Sequence, residues 1–348
     1  MVVKKLEING FRNLNGFSIT FSAEKNLIFG VNGSGKTSVI EALFLLGFGK
    51  SFLPVKRREL VNFNAGGFFL KAEVLNNTGE NDITACLDKG FSLKLNDEST
   101  PLTQVSGYLY PLFFSHFPYH HAIDCVPQFR KLVDRFIYGL NALYLHDVLR
   151  YNNTLKQKNH LLKNLARTIQ NSELNSWNRL LAETGSKIVE KRMAFTDRLN
   201  ATIAEISGSS LRLDYAPALP TPGPVSAASM LADLERARNS EMRSRCSLLG
   251  PQRDRFEVTV GGRKLQLFSS GEKKKFLIML YMAFIELFRQ ARGEYPVFLI
   301  DDYDAAMDER NLKYVLDHFP AMQVIATSVA RNGRFASLFE LKKETDLG

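Results

Sequence analysis

Eight consecutive residues constrain this chain more than any others. Gly30-Val31-Asn32-Gly33-Ser34-Gly35-Lys36-Thr37 reads G-x-x-x-x-G-K-T, between the apolar run Leu27-Ile28-Phe29 and Ser38 to Leu46, which has the period of an amphipathic helix. A glycine-rich turn from strand to helix lets successive backbone amides face inward around phosphate oxygens, and the helix N-terminus adds partial positive charge. Gly30, Asn32, Gly33, Ser34, Gly35 and Ser38 are therefore candidate phosphate-binding positions. Lys36 is placed to reach β- and γ-phosphates, and the Thr37 hydroxyl to serve Mg2+.

A second landmark lies far away in sequence, where the apolar run Val297 to Ile300 ends in Asp301-Asp302. Asp301 is suited to hold a magnesium hydration shell, and Asp302 to polarise or orient an attacking water. Aspartate pairs also cap helices and occupy exposed turns, but with a phosphate loop in the same chain this one makes phosphate hydrolysis the natural reading.

Between these landmarks the pattern changes. Residues 61 to 114 alternate short apolar segments with Gly66-Gly67, Asn76-Asn77 and Asp97, which predicts several antiparallel strands. Pro127 to Ser207 turns helical, with Leu132, Phe136, Leu140 and Leu143 at three- and four-residue spacing and Leu155, Leu162, Leu165 and Ile169 continuing it. Breaks are expected near Asn171-Ser172 and Gly185-Ser186. Prolines 217, 220, 222 and 224 then exclude regular structure and mark a connector. A long helix should follow Gly271, and a last strand should contain Val324-Ile325-Ala326. The expected class is α/β, with an inserted α-helical lobe. The expected divisions are 1–125 and 246–348 as two parts of one head, 126–210 as the lobe, shaped like a short coiled-coil arm, and 211–245 as the connector.

Composition narrows the function classes. A net charge of +9 suits an anionic partner, although it also suits a merely basic surface. Arg150, Lys156, Lys158, Lys163 and Arg167 form a basic stretch in the helical segment, which is either a solvated face or a set of phosphate contacts. Three scattered cysteines indicate neither a disulfide framework nor a zinc site. The beginning MVVKKLEING lacks a signal-peptide pattern, and the apolar tract Phe276 to Phe288 contains Glu286 and is too short to span a bilayer. A cytoplasmic protein without a membrane partner is expected.

Further motifs carry a family resemblance. Ser269-Ser270-Gly271-Glu272 ahead of a long helix resembles the signature loop of ABC-type ATPases, and Asp308 resembles their D-loop aspartate. FRNL at Phe11 to Leu14, the segment Gly30 to Phe52, YNNTLKQKNHLL, LLGPQRD at Leu248 to Asp254 and PVFLIDD at Pro296 to Asp302 occur in the order of the RecF DNA replication and repair protein family, within the SMC-like group. The resemblance implies an ABC-type P-loop ATPase head that dimerises head to tail on ATP. Lys36 and Thr37 would hold ATP and Mg2+ in cis, while Ser269 and Gly271 approach the γ-phosphate in trans; Glu272 either caps or orients the signature helix or is an ordinary helix-start carboxylate. It further implies a weak Mg-dependent ATPase that binds double-stranded DNA in recombinational repair and at replication forks or gaps, beside recombination-mediator proteins, and is released by slow hydrolysis. Lys56, Arg57, Arg58, Arg150, Lys156, Lys158 and Lys273 are the candidate DNA contacts, chosen by charge.

The chain departs from the family pattern at several places. Ser115 to His121 replaces an acidic proline-containing segment, and its three histidines invite a metal hypothesis that no carboxylate or cysteine set supports. Gly250 to Arg255 replaces a histidine and an aspartate of the family segment, although Arg253 remains a phosphate or interface candidate. Leu53 stands where a basic residue is frequent, and Asp302 where a glutamate is more common. The switch position carries Thr327 and Ser328 in place of histidine. Either hydroxyl could position water or sense the γ-phosphate, or simply form a turn. Two alternatives stay open at this point: a diverged head ATPase of another DNA-processing or defence system, and an ATP-gated structural clamp with negligible turnover.

Overall fold

The computed structural model describes residues 1–115, 125–164, 171–307 and 309–342. They fall into two compact units, residues 1–121 with 270–348 and residues 122–269.

The first unit holds two sheets. Strands β1 (Val2–Asn9), β2 (Phe17–Thr20), β4 (Phe68–Asn76), β5 (Gly79–Leu87), β6 (Phe91–Leu95) and β7 (Glu98–Ser99) form an antiparallel sheet in the order β2-β1-β4-β5-β6-β7. Strands β3 (Lys25–Phe29), β8 (Pro111–Ser115), β12 (Val297–Asp301), β13 (Val324–Ser328) and β14 (Ser337–Glu340) form a parallel sheet in the order β14-β3-β13-β12-β8. The antiparallel expectation for 61–114 thus holds for β4 to β7 but not for β8. The run Pro111 to Ser115 is buried at every position, as a strand covered on both faces must be, and it pairs in parallel with β12.

Helix α1 (Lys36–Phe48) packs against strands of both sheets. Every residue in it but Thr37 is buried, so the amphipathic helix expected there is instead a central core helix. Gly47 permits this, since a Cβ on it would sit 2.2 Å from the Pro111 ring. Phe44, Phe48, Phe113 and Tyr110 make edge and tilted ring contacts on this side of the core.

The second unit contains helices Val126–Leu140, Ala142–Lys163, Asn171–Ser207 and Ala227–Ser244, with a small sheet of β9 (Leu211–Ala216), β10 (Arg255–Val260) and β11 (Arg263–Lys264). Residues 246–269 belong to this unit, although the sequence suggested a return to the head at 246. The cause is the pairing of β10 with β9, which ties the segment to the helices. The turn expected at Gly185-Ser186 is absent: one helix runs through it. Gly185 serves close packing instead, since a Cβ there would meet Met230 at 2.4 Å and Tyr151 at 3.1 Å. The apolar stripe ends earlier than its spacing suggested, because Asn141 caps a new helix and leaves Leu143 exposed. The 217–226 connector is as irregular as its prolines require.

A buried polar network organises the second unit. Arg192 pairs with Asp134 at 2.9 Å and Asp254 at 2.7 Å, and donates to the Pro251 carbonyl at 2.8 Å. Tyr215 also donates to Asp254, whose other oxygen accepts from the Ala218 amide at 2.8 Å. The aspartate of the LLGPQRD segment is therefore a structural acceptor, while its neighbour Arg253 is exposed. Among the described residues, no helix is long and apolar enough to cross a membrane.

Candidate active site

Parallel strands converge their C-terminal ends on one edge, and loops leaving that edge can share a ligand. Here β13 lies between β3 and β12, with Ile300 opposite Ala326 and Thr327 opposite Ile28. This register alone brings the loop after Phe29, the acids after Ile300 and Thr327 to one place.

The glycine loop follows β3. Gly30 has φ 153, and a Cβ on it would come within 2.2 Å of the Leu341 carbonyl oxygen, a clash that only glycine avoids. Gly35, in the left-handed region, starts α1 without any side-chain cap. The first helical bond runs from the Val39 amide to the Gly35 carbonyl at 3.1 Å, so the amides of Lys36, Thr37 and Ser38 precede the ladder. The buried Lys36 ammonium donates to the Gly30 and Val31 carbonyls at 2.8 and 3.0 Å. Ser34 is buried too, and its hydroxyl has no hydrogen-bond partner among the described residues.

Thr37 donates to the two Asp301 carboxylate oxygens at 3.1 and 3.3 Å. Thr327 donates to Asp301 Oδ1 at 2.8 Å and accepts from the Asp302 amide at 2.8 Å. Burial, with a smaller contribution from neighbouring Asp302, pushes the Asp301 carboxyl up to about 6, although the Thr327 and Thr37 hydroxyls pull it down. A hydroxyl facing a poorly solvated carboxylate suits a divalent cation, whose charge would relieve that burial. The residues present therefore fit Mg2+ held between Thr37 and Asp301. Asp302 is exposed and adopts φ 47, where the chain leaves β12 for the next turn.

Sequence reasoning missed a brace behind the loop. Arg12, itself at φ 53, forms a two-pronged ion pair with the buried Glu41 of α1 at 2.7 and 2.8 Å, and Ser51 donates to the same carboxylate. Asn13 donates to the Gly33 carbonyl at 3.0 Å and accepts from Ser38 at 2.8 Å. The FRNL turn thus fixes both flanks of the phosphate loop. Only the motif resemblance had drawn attention to it. Beside the brace lies a cleft of about 1310 Å3 reached by Arg12, Asn13, Gly33, Ser34 and the fully exposed Phe63.

The remaining candidates are distributed differently. Ser269, Gly271 and Glu272 are exposed around the start of helix Ser270–Arg292, and a Cβ on Gly271 would meet nothing within 4 Å. Asp308 and residues 116–121 with their histidines lie outside the described residues. No cluster of metal-ligating His, Cys, Asp and Glu side chains occurs among the described ones.

Of the basic candidates, Lys56, Arg58, Arg150 and Lys156 are exposed, and Lys273 is half-buried. Arg57 is exposed as a residue, but its guanidinium donates to the Gly49 carbonyl at 3.0 and 2.8 Å and sits 4.0 Å over Phe91. Lys158 corrects the charge-based expectation: it is 0% exposed and paired with equally buried Glu241 at 2.6 Å, so no phosphate on the surface can reach it. Lys274 donates to the Ala305 carbonyl at 2.6 Å, which ties its helix to the loop after Asp302.

Comparison with known proteins extends over nearly the whole chain. The family model described as RecF/RecN/SMC N terminal domain matches residues 2–336. Curated relatives include the DNA replication and repair protein RecF of Acetivibrio thermocellus, 28% identical over 344 residues that cover 94% of this chain and 93% of that protein. The RecF of Agathobacter rectalis is 27% identical over 354 residues, covering 99% and 96%. Among solved structures, the recombination mediator protein RecF-ATPrS in the RecFOR pathway superposes with a TM-score of 0.88 at 25% identity, covering 98% of this chain and 96% of that one. An Smc head bound to the C-winged helix domain of ScpA matches with a TM-score of 0.52 at 19% identity, covering 95% and 90%, a likeness of fold.

Proposed function

The chain belongs to the RecF/RecN/SMC N-terminal-domain family, and from that premise we propose that it is a cytoplasmic ATP-dependent double-stranded-DNA-binding protein of recombinational repair. It dimerises on ATP, hydrolyses it slowly with Mg2+, and works beside recombination mediators. The observation that carries this reading is the meeting of Thr37 and Asp301 at 3.1 Å beneath a glycine loop that opens an uncapped buried helix.

In this reading the amides of Gly33, Gly35, Lys36 and Thr37 bind the β-phosphate, and the Asn13 brace keeps the loop in its binding shape. Lys36 exchanges its loop carbonyls for phosphate oxygens. Thr37 and Asp301 would hold Mg2+, which when bound would supply neutralisation of the triphosphate charge. Asp302, exposed at the same edge, orients the attacking water, and its shorter reach than glutamate favours slow turnover. Ser269, Gly271 and Glu272 are exposed around a helix start, which supports assembly with a second copy across the nucleotide. Lys56, Arg58, Arg150 and Lys156 provide sequence-independent contacts to DNA phosphates.

The experiment is fluorescence anisotropy of a labelled blunt duplex with ATP, ADP or no nucleotide in Mg2+, across a salt series. Tight binding with ATP alone, weakening steeply as salt rises, is expected. Equal affinity in all three nucleotide states, or no binding in any, would reject the DNA half of the reading.

A further inference from the structure

One hydroxyl touches both acids of the candidate site. Thr327 is wholly buried at the end of β13, held by pairing with β3 on one side and β12 on the other. Its oxygen donates a proton to Asp301 Oδ1 at 2.8 Å and receives the Asp302 N–H at 2.8 Å. A threonine hydroxyl has a single proton, and here it is committed to Asp301. This proton is therefore not directed at water or the γ-phosphate, one of the roles the sequence left open for Thr327 or Ser328 beside a simple turn.

The bond to Asp302 has its own consequence. Asp302 sits at φ 47 and ψ 61, the left-handed region that is uncommon for residues with a Cβ, although aspartate enters it more readily than most. Its carbonyl accepts from the Ala305 and Ala306 amides at 3.0 and 2.9 Å, beginning the short helix Tyr303–Ala306. Its amide points back to Thr327. The backbone between the two acids is thereby pinned from both sides, which fixes the point from which the Asp302 side chain leaves the chain.

We infer that Thr327 is a positioning residue that sets the Asp301 carboxylate for its cation and the Asp302 backbone for its water at the same time. The inference rests on the nucleotide-hydrolysis reading above, and it goes further by placing both acids under the control of one atom. A γ-methyl in place of the hydroxyl fills the same space but deprives Asp301 of a donor and the part-buried Asp302 amide of its acceptor.

The test compares Thr327→Val with Thr327→Ser in the full chain, with Thr327→Ala as a second hydroxyl-free variant should valine disturb folding. Three readouts are taken: hydrogen exchange at the Asp302 amide without nucleotide, Mn2+ affinity in the ADP complex by paramagnetic resonance, and turnover with ATP. Valine and alanine should speed exchange at Asp302, weaken Mn2+ binding and slow turnover by about 10–100-fold each, with nucleotide affinity within a few-fold of the parent. Serine should restore all three to near the parent. Unchanged exchange at Asp302 in the hydroxyl-free variants would overturn the inference, as would unchanged Mn2+ affinity and turnover. A parent chain that binds no nucleotide would instead reject the hydrolysis reading, and the exchange contrast between valine and serine would still decide whether Thr327 sets the backbone.

Discussion

Replacing Asp301 by asparagine should make the nucleotide-free protein more stable, even though it removes a residue central to the proposed chemistry. The buried carboxyl titrates at about 6 rather than its ordinary 3.8. Between those values the folded state holds a proton that the unfolded chain has lost, so this group lowers stability as pH rises through the window and is fully unfavourable above it. A shift of about two units corresponds to about 3 kcal/mol. Asparagine cannot ionise, but it replaces the Oδ2 acceptor of Thr37 with a donor, a loss of about 1 kcal/mol. The net gain at pH 7.5 is therefore about 2 kcal/mol, which for a unit of this size corresponds to a melting-temperature rise of about 4–8 °C. Near pH 4 the parent carboxyl is neutral in the fold, and the gain should vanish. Thermal melts of both proteins at pH 4 and 7.5 measure this directly. Adding ATP with Mg2+ at pH 7.5 should then stabilise the parent and leave Asp301→Asn behind. A variant no more stable than the parent at pH 7.5, or a gain of equal size at both pH values, would refute the argument that burial strains this carboxylate.

Other sites give further expectations. Lys158→Met should cost about 3–5 kcal/mol in urea unfolding because Glu241 is left charged and buried, while Lys158→Met combined with Glu241→Leu should recover most of it. Asp302→Asn should bind a fluorescent ATP analogue like the parent and hydrolyse ATP at least about 100-fold more slowly, in keeping with a residue that acts on the attacking water. Gly30→Ala should lose nucleotide binding in the same titration, because its methyl would collide with the Leu341 carbonyl and move the start of the phosphate loop.

What could be recognised from the sequence was local. The glycine loop, its strand and its helix are contiguous, so composition and spacing report them directly, and an apolar strand ending in two acids is likewise a short-range signal. The contact between Thr37 and Asp301 spans 264 positions. It could be expected because both motifs serve one ligand, but no pattern carried its geometry. The Arg12 to Glu41 pair, the Asn13 brace and the double use of Thr327 were invisible for the same reason: each depends on which segments the sheets bring together. Lys158 shows the converse. On a helix among other basic residues its spacing suits a solvated face, and only Glu241, from a later helix, makes burial tolerable. Glycine weakens isolated helices, so Gly185 suggests a break in sequence, whereas in the fold its missing side chain admits Met230 and Tyr151.

The central claim, that ATP held at Lys36, Thr37 and Asp301 joins two copies on DNA, is tested most directly by mass. Light scattering would be recorded for the parent and Lys36→Ala with ADP, with ATP and Mg2+, and with ATP, Mg2+ and a blunt duplex. The account predicts a doubling of protein mass with ATP, strengthened by duplex and absent in Lys36→Ala. A mass that stays the same in every state, or doubles equally in Lys36→Ala, would contradict it.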